Sequence, residues 1–215
     1  MKTFKKILCL LMIGLVLFLT GCGDNDDAAI EVTAEPTATP EPTPEPTPEP
    51  TPVPVVAIDD YQYYVVTNST LAVSFKYPTH WINMPAKSTI CYVEPVNAGD
   101  TPARLAVASK VLSKVPEAKQ LKKQLTDFLA IVAESCADYQ EGEQKDKVAI
   151  MGTNGIRQKY TARDPETGRE ITGYALICYV REARRVYLLH FTAPTADYDK
   201  LSVVIDVIRE SMSTT

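Results

Sequence analysis

Apolar and polar positions alternate through residues 71–77, placing Leu71, Val73, Phe75 and Tyr77 on one face of a predicted strand. Residues 61–66, rich in Tyr and Val, read as its hairpin partner, with Asn68 and Ser69 at the turn. Further strands are expected at 89–93 and 104–112, on either side of a loop containing Pro, Asn and Gly. The period then changes. Within 114–136, Ala118, Leu121, Leu125, Phe128, Leu129, Val132 and Cys136 recur at helical spacing, and Lys119, Lys122, Lys123 and Asp127 take the opposite face. Pro116 is placed in the first turn, where a missing N–H costs little. After a polar connector, strand character returns at 147–151 and 156–163. Asp164 to Gly168 is turn chemistry, 169–180 completes a hairpin, and 184–193 follows. Thr195 is positioned to cap a final helix whose stripe is Tyr198, Leu201, Val204, Ile205, Ile208 and Met212. Residues 174–180 and 186–191 are apolar on both faces, so both faces of the sheet are covered at its centre. The fold class is α+β: an antiparallel sheet of about seven or eight strands covered by helices.

The first 57 residues follow no such periodicity. Lys2, Lys5 and Lys6 precede an uncharged apolar run at 7–19, and Leu19-Thr20-Gly21-Cys22 ends it. That run is short for a membrane span, which needs about 20 residues. It fits the core of an export signal. Leu19 to Cys22 resembles the lipobox of bacterial lipoproteins, in which cleavage precedes Cys and the thiol carries diacylglycerol. On that resemblance residues 1–21 are a lipoprotein signal peptide and Cys22 is the lipid attachment site. Two acyl chains (palmitate, for example) suffice for stable anchoring where one is marginal.

Residues 22–57 then read as a Pro/Thr/Glu-rich disordered stalk. Thr39, Thr43 and Thr47 each begin Thr-Pro-Glu-Pro, and Thr51 begins Thr-Pro-Val-Pro. Proline at every second position excludes helix and ladder and leaves polyproline II. At about 3.1 Å per residue the repeat reaches on the order of 50 Å. A ligand for a Pro-recognition domain is the other meaning of such a stretch, and regularity with an exported address favours a spacer. Such a stalk suggests a Gram-positive envelope.

Charge divides the chain at the same place. The whole sequence carries −5; without the three signal lysines it is −8, and the stalk holds eight acids and no base. Residues 58–215, read as a single globular domain, are therefore balanced. A neutral domain offers no electrostatic footprint for nucleic acid.

Ser74-Phe75-Lys76-Tyr77-Pro78-Thr79-His80-Trp81 resembles the Phe-x-Tyr-Pro-x-x-Trp opening strand of PsbP-like proteins, named for an extrinsic subunit of photosystem II. The C-terminal pattern agrees: Val186 to Phe191, a small-polar turn, then a helix from Asp197-Tyr198 to Glu210-Ser211-Met212. The resemblance implies an α/β/α sandwich, used by non-enzymatic accessory proteins and by many bacterial lipoproteins. It transfers no active-site residue, and Trp81 is expected beneath the turn as a core plug.

Candidate chemistry is sparse. Cys91, Cys136 and Cys178 form an odd set in a compartment that permits disulfides. Buried free thiols and one disulfide are both open, and a nucleophile is disfavoured. His80 and His190 lack ligand spacing, no Gly-x-Ser-x-Gly elbow is present, and Asp24 to Asp27 lacks the rest of a calcium loop. Asp164, Glu166 and Glu170 read as a solvated hairpin tip before a cation site. Tyr61, Tyr63 and Tyr64 form an aromatic patch, either packing or an edge surface for a partner. No catalytic, cofactor-binding or metal residue is assigned. The expectation is a lipid-anchored protein on the extracytoplasmic face of the cell membrane. It acts there as a binding or accessory module for an envelope complex, not as an enzyme. The alternatives are an envelope hydrolase acting on wall or lipid, and a small solute-binding lipoprotein.

Overall fold

The computed structural model describes residues 56–84, 86 and 88–215, so the signal segment, Cys22 and the Pro-rich repeat lie outside the described residues. Two long strands rich in Val, Leu, Ile and Tyr, β8 (Glu170–Val180) and β9 (Arg185–Pro194), pair antiparallel at the centre of the larger sheet. Almost every residue of both is buried, which requires cover on each face. The sheet order is β3-β4-β5-β9-β8-β7-β6, all antiparallel. Its other members are β3 (Ile82–Asn83), β4 (Thr89–Val93), β5 (Arg104–Val111), β6 (Ala137–Ile150) and β7 (Thr153–Arg163). A separate two-stranded sheet is formed by β1 (Tyr63–Asn68) and β2 (Val73–Pro78).

Side-chain alternation sorts the core into two layers. On one face Leu105, Val107, Leu176, Cys178, Leu189 and Phe191 meet the last helix, α2 (Tyr198–Ser211), and the buried side of the β1–β2 hairpin. On the other, Ala108, Ala175, Ile177, Val186 and Leu188 meet α1 (Ala118–Ser135) through Leu125, Phe128, Leu129 and Val132. Burying each such Leu or Phe is worth about 1.5–3 kcal/mol. The result is the expected α/β/α sandwich. Trp81, 3% exposed, sits in the α2-side core as expected.

Several local expectations are corrected. Residues 137–146 are strand, the first ten residues of β6, and not connector. β6 is an edge exposed on both sides, so burial imposes no alternation on its sequence. Pro116 precedes α1 instead of entering it. Glu117 is the cap, and the capping box closes with Gln120, whose side-chain oxygen accepts from the Glu117 N–H at 2.9 Å. Thr195 does not cap α2; Asp197 holds that position, and Thr195 Oγ1 bonds Thr172 Oγ1 at 3.0 Å. The hairpin at 61–78 forms, but apart from the large sheet.

One glycine is required by a close approach. A Cβ on Gly173 would stand 2.5 Å from Cζ of Tyr160 on the neighbouring strand. The Tyr160 ring therefore crosses β8 only where no side chain exists.

Candidate interaction surfaces

Tyr61, immediately before β1, is turned inward instead of joining an exposed patch. Its hydroxyl donates to Glu94 Oε1 at 2.9 Å, and its ring meets His80 edge-on with centroids 4.3 Å apart. The second Glu94 oxygen accepts from the Ala103 N–H at 3.4 Å. Burial, then the Glu94 charge, pushes the Tyr61 hydroxyl well above its ordinary range. Burial also lowers His80, against the opposing pull of Glu94. Tyr63 is half-buried, and of the three tyrosines Tyr64 is the one mostly exposed, at 64%. Sequence periodicity could not separate them, because the hairpin's twist and the neighbouring loops decide which ring is covered.

Tyr61 and Glu94 form part of the wall of a cleft of about 970 Å³ at the end of the molecule where the described chain begins. Val56 and Ala57 lie in that wall, and Ile58, Val96, Pro194 and Leu201 supply apolar lining. Its ionic groups are Glu94, Asp100, Glu170, Asp197, Arg169 and Lys200, four acids against two bases. Arg169 Nη1 lies 2.8 Å from Asp100 Oδ1, and Lys200 Nζ lies 3.9 Å from Asp197 Oδ1. Tyr61, Glu170, Thr195, Asp197 and Leu201 were each singled out in the sequence for other reasons, and none of them as the wall of a shared cleft. The lining residues come from four separate stretches of chain, and only the fold brings them together.

The expected chemical candidates do not converge. Asp164 is no solvated tip. It is buried, its Oδ2 accepts from Arg104 Nη1 at 2.8 Å, and its Oδ1 accepts from the Glu166 and Thr167 N–H groups at 3.0 Å each. Burial alone would raise its carboxyl. Arg104 and the Thr167 N–H outweigh that and hold it below its ordinary value. Glu166 reaches the same guanidinium at 3.4 Å.

His190 is buried under α1, shares a 2.7 Å hydrogen bond with Tyr160 Oη and lies edge-on to Phe128. Burial and Arg104 lower it to about 4. Cys91, Cys136 and Cys178 are unpaired. Burial raises the Cys91 thiol to about 11 and Cys178 to about 12, the opposite of an activated nucleophile. Among the described residues no group of three or more His, Cys, Asp or Glu is placed to hold a metal ion.

No protein-family model and no curated protein matches the chain. Solved structures do. The chain is similar to cyanobacterial PsbP of Synechocystis, with TM-score 0.56 and 10% identity over 76% of this chain and 98% of that one. The Ran-binding protein Mog1p of Saccharomyces cerevisiae aligns at TM-score 0.48 and 8% identity, covering 72% of this chain and 96% of its own. LpqN of Mycobacterium tuberculosis, described as involved in cell envelope biogenesis, aligns at TM-score 0.45 and 16% identity, covering 73% and 92%.

Proposed function

The domain has a PsbP-like fold, and we propose that it is the binding module of a lipid-anchored envelope protein. In this reading Cys22 carries diacylglycerol after export, and the Thr-Pro-Glu-Pro repeat holds the domain off the outer face of the membrane. The domain is an accessory subunit and its ligand is another protein.

The observation that carries the binding reading is the cleft beside Val56 and Ala57. Four of its six ionic groups pair, Arg169 with Asp100 and Lys200 with Asp197 at the start of α2, and Tyr61 is engaged with Glu94. A surface of paired charges around apolar lining suits recognition, where complementarity sets orientation and encounter. The surplus of acids selects a basic extended segment, with side chains for Ile58, Val96 and Leu201. One observation favours a second reading. The volume also lies within the about 300–1,000 Å³ of small-molecule sites, which fits a solute-binding lipoprotein.

A photo-crosslinking group at exposed Ala196, in intact cells, tests both readings. The expected result is a discrete protein adduct that disappears when the cleft-filling substitution Val96→Trp is added to the same chain. Absence of any protein adduct, with a small molecule retained by the purified chain, selects the solute reading. Turnover of a wall or lipid substrate by the purified chain selects the enzyme. Cys22→Ala should move the protein out of the membrane fraction or leave an unprocessed precursor. Unchanged retention and mass would refute the anchor.

A further inference from the structure

We infer that the free edge of β1 is a self-association seam, on which two copies of this chain pair antiparallel about Val65. The hydrogen-bonding sense of the hairpin establishes which groups are free. Thr79 N–H donates to the Gln62 carbonyl, and Tyr63 opposes Pro78, which has no N–H to give. On the far side of β2, Ser74 exchanges backbone bonds with Ser213, and Lys76 N–H donates to Ser211 Oγ. In an antiparallel ladder these directions alternate. Tyr63, Val65 and Thr67 therefore turn their N–H and C=O groups away from β2, where no other described strand meets them.

Among the described residues the other edges are protected and this one is not. β6 carries three register shifts and the charges Asp138, Glu141, Glu143, Lys145, Asp146 and Lys147. β3 is only two residues long, and β2 is closed by the chain end after α2. Bulges, charges and short length are the usual defences of an exposed edge. β1 has six uncharged residues and no bulge, and Tyr64 and Val65 are 64% and 63% exposed.

The sequence of the strand identifies the occupant. Its N-terminal half is aromatic (Tyr63, Tyr64) and its C-terminal half β-branched (Val66, Thr67), with Val65 between. Antiparallel self-pairing centred on Val65 sets Tyr63 opposite Thr67 of the second copy, Tyr64 opposite Val66, and Val65 opposite Val65. Each ring then lies against a β-branched side chain, a favourable cross-strand pairing, and no like charges oppose. Every outward N–H of one copy finds an outward carbonyl of the other. A single strand pair is a small interface, so the association is weak and concentration-dependent. The seam stands on the hairpin alone and does not depend on the cleft reading.

The test is oxidative crosslinking of the full chain carrying Val65→Cys. Directly opposed residues of a hydrogen-bonded pair lie about 5.5 Å apart at Cα, within disulfide reach. Val203→Cys, equally exposed on α2, serves as control. The expected result is a covalent dimer from Val65→Cys at least several-fold above the control. Mixed Tyr63→Cys and Thr67→Cys chains should give heterodimers in preference to either homodimer. Val65→Pro removes an outward N–H without touching the β2 ladder. It should keep the urea midpoint and abolish concentration-dependent sedimentation. Crosslinking no greater than the control overturns the seam. So does capture of Val65→Cys by a different protein in place of itself, which would assign the edge to a heterologous strand.

Discussion

His190 has exchanged solvent for a place between Phe128 and Tyr160, and its protonation follows from that exchange. In the fold it stays neutral down to about pH 4, whereas an unfolded chain protonates it near its ordinary value of about 6.5. Between these values the unfolded state holds the extra proton. The stability contributed is therefore complete above pH 6.5 and is lost as pH falls toward 4. The gap corresponds to something on the order of 3 kcal/mol. Asp164, whose carboxyl is lowered, adds its loss only at pH below the ordinary carboxylate range. Urea midpoints from pH 7.5 to 4.5 should fall for the native chain and fall less steeply for His190→Gln, where the lowered His80 still contributes. An equal slope in both would place the titration elsewhere. His190 was visible in the sequence as a histidine inside a strand, but its partner was not. Tyr160 lies thirty positions away, and only the β7–β8–β9 register sets the two side by side.

At the scale of elements, the β7–β8 turn is held by a carboxylate more than by turn propensity. Asp164 accepts from two backbone N–H groups and from Thr167 Oγ1, and binds Arg104 of β5 across the sheet. Asp164→Ala leaves a largely buried guanidinium with only the longer contact to Glu166. Removing one partner of a buried pair costs about 3–5 kcal/mol. A loss near the lower figure is expected, measured by urea unfolding at pH 7. A loss below about 1 kcal/mol, the surface-pair range, would show that solvent already screens the pair. The turn residues were legible, because Asp-Pro-Glu-Thr-Gly has few other uses. The role of Asp164 was not, since Arg104 stands sixty positions away. β6 shows the same boundary from the other side. Its charges and bulges protect an edge, and such a strand lacks the alternation that reveals buried ones.

Across the whole molecule, the sheet is a barrier between cysteines. Cys91 opposes Ala106, which packs on the α1 side, while Cys178 belongs to the α2-side core. Cys136 lies at the end of α1 and is half-buried. No pair across the sheet can close without unfolding. Alkylation in urea without reductant should label the peptides of all three. Native labelling should reach Cys136 first. Any peptide labelled only after reduction would overturn the free-thiol arrangement. The C-terminus acts at the same scale: Ser213 bridges Ser74 and Met212 is buried, so the chain end fastens the hairpin to α2.

The sequence by itself determined most of the element types, with residues 137–146 the exception, the two stripes that became helix faces, and the strands covered on both sides. Each of these is a local period imposed by burial. It also divided the charge between an acidic N-terminal region and a balanced domain, and its Phe-x-Tyr-Pro-x-x-Trp segment announced the PsbP-like fold before any coordinate. Tertiary structure alone decided that the first hairpin stands apart from the main sheet, that Tyr61 faces Glu94, and that four distant stretches of chain wall one cleft. Those are non-local pairings. Composition and spacing report which side chains want to leave water, and only the closed fold settles which of them meet.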